Sequence, residues 1–119
     1  MSEDESLLIL ESRGQIGIAQ VAIPEILHPE ELDRVSRQFK QYVASTDFRG
    51  YVLDLSGLSY FTSAAIGMLM NVHAHLAAEG RRFAMVARAD MVIETLQHTH
   101  LEKVFPIRTD IEAAVAAIA

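Results

Sequence analysis

Thr62 and Ser63 place two adjacent hydroxyls between an apolar run, Tyr51-Val52-Leu53-Asp54-Leu55, and a helix-forming stretch, Ala64-Ala65-Ile66-Gly67-Met68-Leu69-Met70. A hydroxyl at such a junction sits at a helix N-terminus. There it can cap free backbone N–H groups, or it can carry a phosphate, which those N–H groups and the positive end of the dipole tolerate. Nucleophilic use of Ser63 would need a base within reach, and the sequence offers His73 and His75 on the very helix that Ser63 would open. Helix rise puts His73 about 15 Å from Ser63. Phe61 and Ala65 stand where a Gly-x-Ser-x-Gly elbow would have its glycines. The spacing argues against a serine hydrolase.

The other reactive residue types are less specific. His73 and His75 are two apart on a helix and do not share a face, whereas helical metal pairs use i, i+4 spacing. His98 and His100 straddle a helix end, where imidazole complements the C-terminal dipole. No metal site is expected from either pair. Asp54, inside an apolar strand, has to lie near the strand exit or be fully hydrogen-bonded, and one acid alone specifies no reaction. Gly57 and Gly67 stand alone, so there is no phosphate loop and no nucleotide chemistry of the chain's own. With no cysteine, thiol chemistry, disulfides and Cys-based zinc sites are excluded. No cofactor is expected, and an enzyme is the remotest reading.

The elements that must position these groups follow from patterning. Leu7 to Glu11 and Gln15 to Ile23 read as two strands about a turn at Ser12-Arg13-Gly14, pairing antiparallel. Pro29-Glu30-Glu31 opens a helix with Leu32, Val35, Phe39 and Tyr42 or Val43 at helical spacing. Tyr51 to Leu55 reads as a central strand covered on both faces. A second helix is expected from Ala64 to Glu79, stopped by Gly80, with Ile66, Leu69, Val72, His73 and Leu76 turned inward. Ala64, Gly67, Met68, Asn71 and His75 then face outward, a flat patch that lets a partner helix approach closely. Gly67 costs about 1 kcal/mol of helix propensity relative to alanine, which suits close packing either inward on the sheet or outward on a partner. Phe83 to Ala87 is a further strand, Asp90 an N-cap for Met91 to His98, Val104 to Ile107 a short last strand, and Asp110 to Ile118 a closing helix. The order β-β-α-β-α-β-α-β-α predicts an α/β mixed sheet: an antiparallel hairpin, then parallel strands, with about four helices.

The 119 residues fit one domain, 1–119, with 1–6 expected to fray. A net charge of -6 argues against nucleic acid, and Arg81-Arg82, the adjacent basic pair, reads as a solvated turn. No apolar run approaches the ~20 residues of a membrane span, and the sequence opens without a signal segment, so the expected location is cytoplasmic.

From Val52 through Leu69 the chain resembles the signature of STAS domains, the family of bacterial anti-sigma factor antagonists. The likeness continues through Ala89 to Leu96, Leu101, and Val104 to Ile107. Family members carry Asp-Ser-Ser-Gly-Leu-Gly at the strand–helix junction, the first serine being phosphorylated. In this chain Thr62 stands for the Asp, Ser63 for the phosphorylated serine, Ala64 for the second serine, Ala65 for the glycine and Ile66 for the leucine, with Gly67 retained. His100 replaces a glycine and is among the side chains that tolerate a left-handed conformation. The resemblance implies partner switching. The unphosphorylated chain would bind an anti-sigma factor that is a serine kinase of the histidine-kinase-like ATPase type, phosphorylation of Ser63 (alternatively Thr62) would end binding, and a serine phosphatase would reset it. The implied partner-binding residues are Asp54, Thr62, Ser63, Ala64, Gly67, Met68 and Asn71. The rival reading is a STAS scaffold subunit that is never phosphorylated, within a lipid-transport ATPase or sensory complex.

Overall fold

The computed structural model describes residues 6–22, 28–60 and 62–119. Its strands are β1 (Leu8–Arg13), β2 (Ile16–Val21), β3 (Gly50–Asp54), β4 (Arg82–Val86) and β5 (Ile107–Arg108). The helices are α1 (Pro29–Ser45), α2 (Ser63–Ala78), α3 (Asp90–His98) and α4 (Ile111–Ile118). The strands form one sheet in the order β1-β2-β3-β4-β5, with β1 and β2 antiparallel and every later neighbour parallel. This is the α/β mixed sheet that the element order predicts.

Alternation along β3 sorts the core into two layers. Tyr51, Leu53 and Leu55 point to the face covered by α1, α2 and α3, while Val52 joins Ile16, Ile18, Ala84 and Val86 beneath α4. All five β3 residues are buried, as a strand covered on both faces requires. On the α1 side, Gly17 leaves room for an aromatic cluster. A Cβ there would lie 2.8 Å from Phe48 and from the Tyr42 hydroxyl, and 2.9 Å from Tyr51. Burial raises the Tyr42 phenol above its usual pKa, and its hydroxyl donates to the Glu11 carbonyl at 2.8 Å.

α1 begins as the sequence indicates, with Pro29 in the first turn and the Glu31 carboxylate accepting the His28 N–H at 3.0 Å. Its far end is closed from outside. The last turn of α1 holds no basic residue; instead the Arg81 guanidinium donates to the Val43 carbonyl at 3.0 Å, the Tyr51 hydroxyl at 2.9 Å and the Thr46 carbonyl at 3.3 Å. Arg81 is therefore not part of a solvated turn; Arg82 beside it is exposed.

Several element boundaries also differ from expectation. The hairpin turn is Gly14-Gln15, so β1 runs on through Arg13. β2 ends at Val21, short of the expected Ile23, which itself falls outside the described residues, as do residues 1–5 of the segment 1–6 expected to fray; Ser6 is described and its hydroxyl bonds Leu8. Asp90 is the first residue of α3 rather than its cap; Ala89, in extended conformation, holds the cap position without a side-chain bond. The last strand is only Ile107–Arg108, because Leu101 and Phe105 enter the core at helical spacing through a 3-10 turn over Leu101–Lys103, leaving Val104 exposed. His100 adopts the left-handed conformation, φ 59° and ψ 26°.

Candidate functional site

The site builds from the cap of α2. Thr62, extended at φ -96° and ψ 163°, is the N-cap, and its hydroxyl accepts the Ala65 N–H at 3.3 Å. Ser63 is the first helical residue, exposed, and its hydroxyl bonds to no other described residue. The two hydroxyls have thus divided the roles that the sequence left open: Thr62 caps, and Ser63, at the positive end of the helix, has no partner among the described residues.

The surface that continues from Ser63 is set by which arc of α2 is buried. Ala65, Met68, Leu69, Val72 and Leu76 form that arc. The opposite pole is Ser63, Gly67, Met70 and Ala74, all exposed, flanked by Ala64, Asn71 and His75. The expectation for Met68 is corrected: it is 8% exposed, under α1, and the methionine on the surface is Met70 at 40%. The physical reason is a second wall. α1 lies against α2 as well as the sheet, so the buried arc turns toward Ala65 and Met68 by roughly 50°, half of one residue's step. Ile66 and His73, expected inward, are only half-buried.

Gly67 settles outward. Nothing lies within 4 Å of where its Cβ would stand, so close packing inside the domain does not call for a glycine. Beside it, a shallow groove between α1 and α2 is lined by Pro29, Leu32, Asp33, Ser36, Ala64, Met68 and Asn71. Lys40 donates to the Asn71 side-chain oxygen across this pair of helices.

Asp54 does not join this surface. It is 3% exposed, its carboxylate accepts the Ser56 N–H at 2.9 Å, and strand alternation turns it to the α4 side. There it borders a crevice with Arg13, Arg88, Asp110 and Glu112. The histidines are equally dispersed. His73 rests against Phe105, ring centroids 5.6 Å apart, while His75, His98 and His100 are exposed. Among the described residues no group of three or more His, Cys, Asp or Glu is placed to hold a metal, and no helix is long and apolar enough to cross a membrane. Sequence reasoning missed Met70 and Ala74; their i+3 and i+7 spacing from Gly67 was the available signal.

The STAS domain family model matches residues 7–114. Among solved structures, an anti-sigma factor antagonist from Mycobacterium paratuberculosis superposes with a TM-score of 0.80 at 22% identity, covering 93% of this chain and 92% of that one. An anti-sigma-factor antagonist (STAS) domain protein from Planctomyces limnophilus gives 0.76 at 19%, covering 94% and 98%. The phosphorylated form of the Bacillus cell fate determinant SpoIIAA gives 0.68 at 13%, covering 94% and 99%.

Proposed function

The chain belongs to the STAS domain family, and from that premise we propose that it is an anti-sigma factor antagonist acting by partner switching, a binding module with no catalysis of its own. Its partner is an anti-sigma factor that is also a serine kinase of the histidine-kinase-like ATPase type, and a serine phosphatase reverses the modification in the cytoplasm. The observation that carries this reading is the division of labour at α2. Because Thr62 supplies the cap, Ser63 can be modified without dismantling the helix start.

A phosphate on Ser63 adds about -1.5 to -2 charge. The first-turn N–H groups and the dipole accommodate that charge in the free domain. A partner seated over Ser63, Ala64, Gly67, Met70 and Asn71 meets it as new bulk and uncompensated charge. Binding changes while the fold does not. Asp54 acts from behind the sheet, holding the loop that leads from β3 to the site through its bond to Ser56, and Met68 supports the surface from beneath.

Intact-mass measurement after incubation with ATP and lysate of the source cells tests the acceptor. The expected result is one phosphate on the wild type, retained in Thr62→Ala and absent from Ser63→Ala. Thr62→Ala loses about 1 kcal/mol of stability with its cap. Against the purified kinase, Ser63→Glu is expected to bind roughly tenfold more weakly than wild type, since it carries only part of a phosphate's charge. Equal binding by the two, or no phosphate under any condition, would favour the unphosphorylated scaffold instead.

A further inference from the structure

We infer that the outer edge of β1 is a pairing surface for a second copy of this chain, joining two sheets into one across a two-fold axis at Leu10. The inference concerns the sheet edge and is independent of the surface on α2. β1 has β2 on one side and no strand on the other among the described residues. The Ala22 N–H donates to the Leu7 carbonyl at 2.9 Å, extending the hydrogen-bonded pairs of the β1–β2 ladder. By alternation, Leu8, Leu10 and Ser12 turn their N–H and C=O groups away from β2.

Natural edges are blunted by proline, lysine, bulges or brevity. β1 has no proline, lysine or bulge, and its charges, Glu11 and Arg13, are confined to its second half: it runs six residues in unbroken register from Leu8 opposite Val21 to Arg13 opposite Ile16. It also exposes two large apolar side chains on its two faces, Ile9 at 56% and Leu10 at 49%. Among the described residues, only Leu8 has its outward groups occupied, by the Ser6 hydroxyl at 2.8 and 3.3 Å. That hydroxyl fills the place of a neighbouring strand and is displaced when one arrives.

The occupant is argued from register and charge. Antiparallel pairing centred on Leu10 uses the whole strand: each Leu10 N–H meets the other's carbonyl, Leu8 faces Ser12, Ile9 faces Glu11 and Leu7 faces Arg13 of the other copy. Leu10 then covers Leu10, and each Ile9 is covered by the opposing strand. On the α1 face no like charges meet at the axis; on the other face Glu11 lies diagonal to Glu11 of the other copy, exposed to water, with Ile9 between them. The Gln38 side chain accepts the Leu7 N–H at 2.7 Å and the Tyr42 hydroxyl bonds Glu11, so Gln41 lies level with Leu10. Two-fold symmetry brings Gln41 to Gln41, and Arg37, already paired with Asp33 at 3.3 Å, toward Ser45.

The chain has no cysteine, so single substitutions report the register directly. Leu10→Cys is expected to form a disulfide-linked dimer under mild oxidation, because the Cα atoms of a hydrogen-bonded pair lie about 5.5 Å apart, within disulfide range. Ile9→Cys and Ser12→Cys sit farther than about 7 Å from their own copies and should cross-link at least roughly tenfold more slowly. By sedimentation, the full-length wild type should show a concentration-dependent dimer, and Leu10→Lys should raise its dissociation constant roughly tenfold or more while leaving far-UV circular dichroism unchanged, and the melting temperature unchanged at concentrations where the wild type is monomeric. A wild type that stays monomeric at its highest soluble concentration overturns the inference. So does a dimer indifferent to Leu10→Lys, or one that cross-links as fast through position 9 or 12 as through position 10.

Discussion

Replacing Arg81 by methionine is expected to lower the unfolding free energy by about 1–3 kcal/mol, measured by urea denaturation, although the residue is a surface arginine by sequence. The substitution keeps an aliphatic stem and removes the fork. That fork donates to the Val43 and Thr46 carbonyls, which belong to the end of α1, and to the hydroxyl of fully buried Tyr51. The last carbonyls of a helix have no partner within it, and a buried acceptor left unpaired costs about 1–3 kcal/mol. The Tyr51 hydroxyl retains Thr46 at 2.6 Å and the Val43 carbonyl keeps the Thr46 N–H at 3.4 Å, so the loss falls mainly on the Thr46 carbonyl and on the charge-assisted bond to Val43. The accompanying ion pairs matter less: Asp47 is fully exposed and Glu79 about half so. Arg81→Lys should recover less than half of the loss, since one ammonium cannot reach carbonyls and a phenol together. A methionine variant within about 0.5 kcal/mol of wild type would show that water replaces the guanidinium at no cost.

The Arg81 clamp shows why some of this molecule is not legible in its sequence. Two of its acceptors are backbone carbonyls more than thirty positions away, and no residue type marks a carbonyl with room for a further donor. Elements with a strong periodic signal were readable: α1 from Pro29 and its apolar stripe, β3 from Tyr51 to Asp54, and the left-handed stop at Gly80, φ 71°. α2 was readable as a helix but not in phase. Apolar or small residues occupy nearly its whole circumference, so Ile66, Met68 and Met70 compete for the inward positions and only contact with α1 decides among them. The division between Thr62 and Ser63 was similarly undetermined, because either hydroxyl satisfies the cap preference. At the end of the chain, Val104 to Ile107 alternates like a strand, yet Leu101 and Phe105 together satisfy a helical turn and bury more apolar surface that way.

Gly67 gives the sharpest separation of fold from function. Gly67→Arg is expected to stabilise the free domain by about 0.5–1 kcal/mol, because a helix-interior glycine gives way to a good helix former and the position opens onto empty space. In a domain of this size that corresponds to a rise of roughly 2–5 °C in melting temperature. On the partner-switching reading, the same variant should lose partner binding by roughly a hundredfold or more, since a long cation then stands in the middle of the surface formed by Ser63, Gly67, Met70 and Ala74. Most substitutions that abolish binding also weaken the fold, and the two effects cannot be told apart. Here they have opposite signs, so a more stable protein that no longer binds leaves steric exclusion at α2 as the cause. Gly67→Ala calibrates the pair: it should keep most of the stability gain and reduce binding only modestly, because one methyl group adds little bulk. If Gly67→Arg binds the kinase as tightly as wild type, the partner does not cover this pole of α2, and the glycine is retained for a reason unrelated to docking.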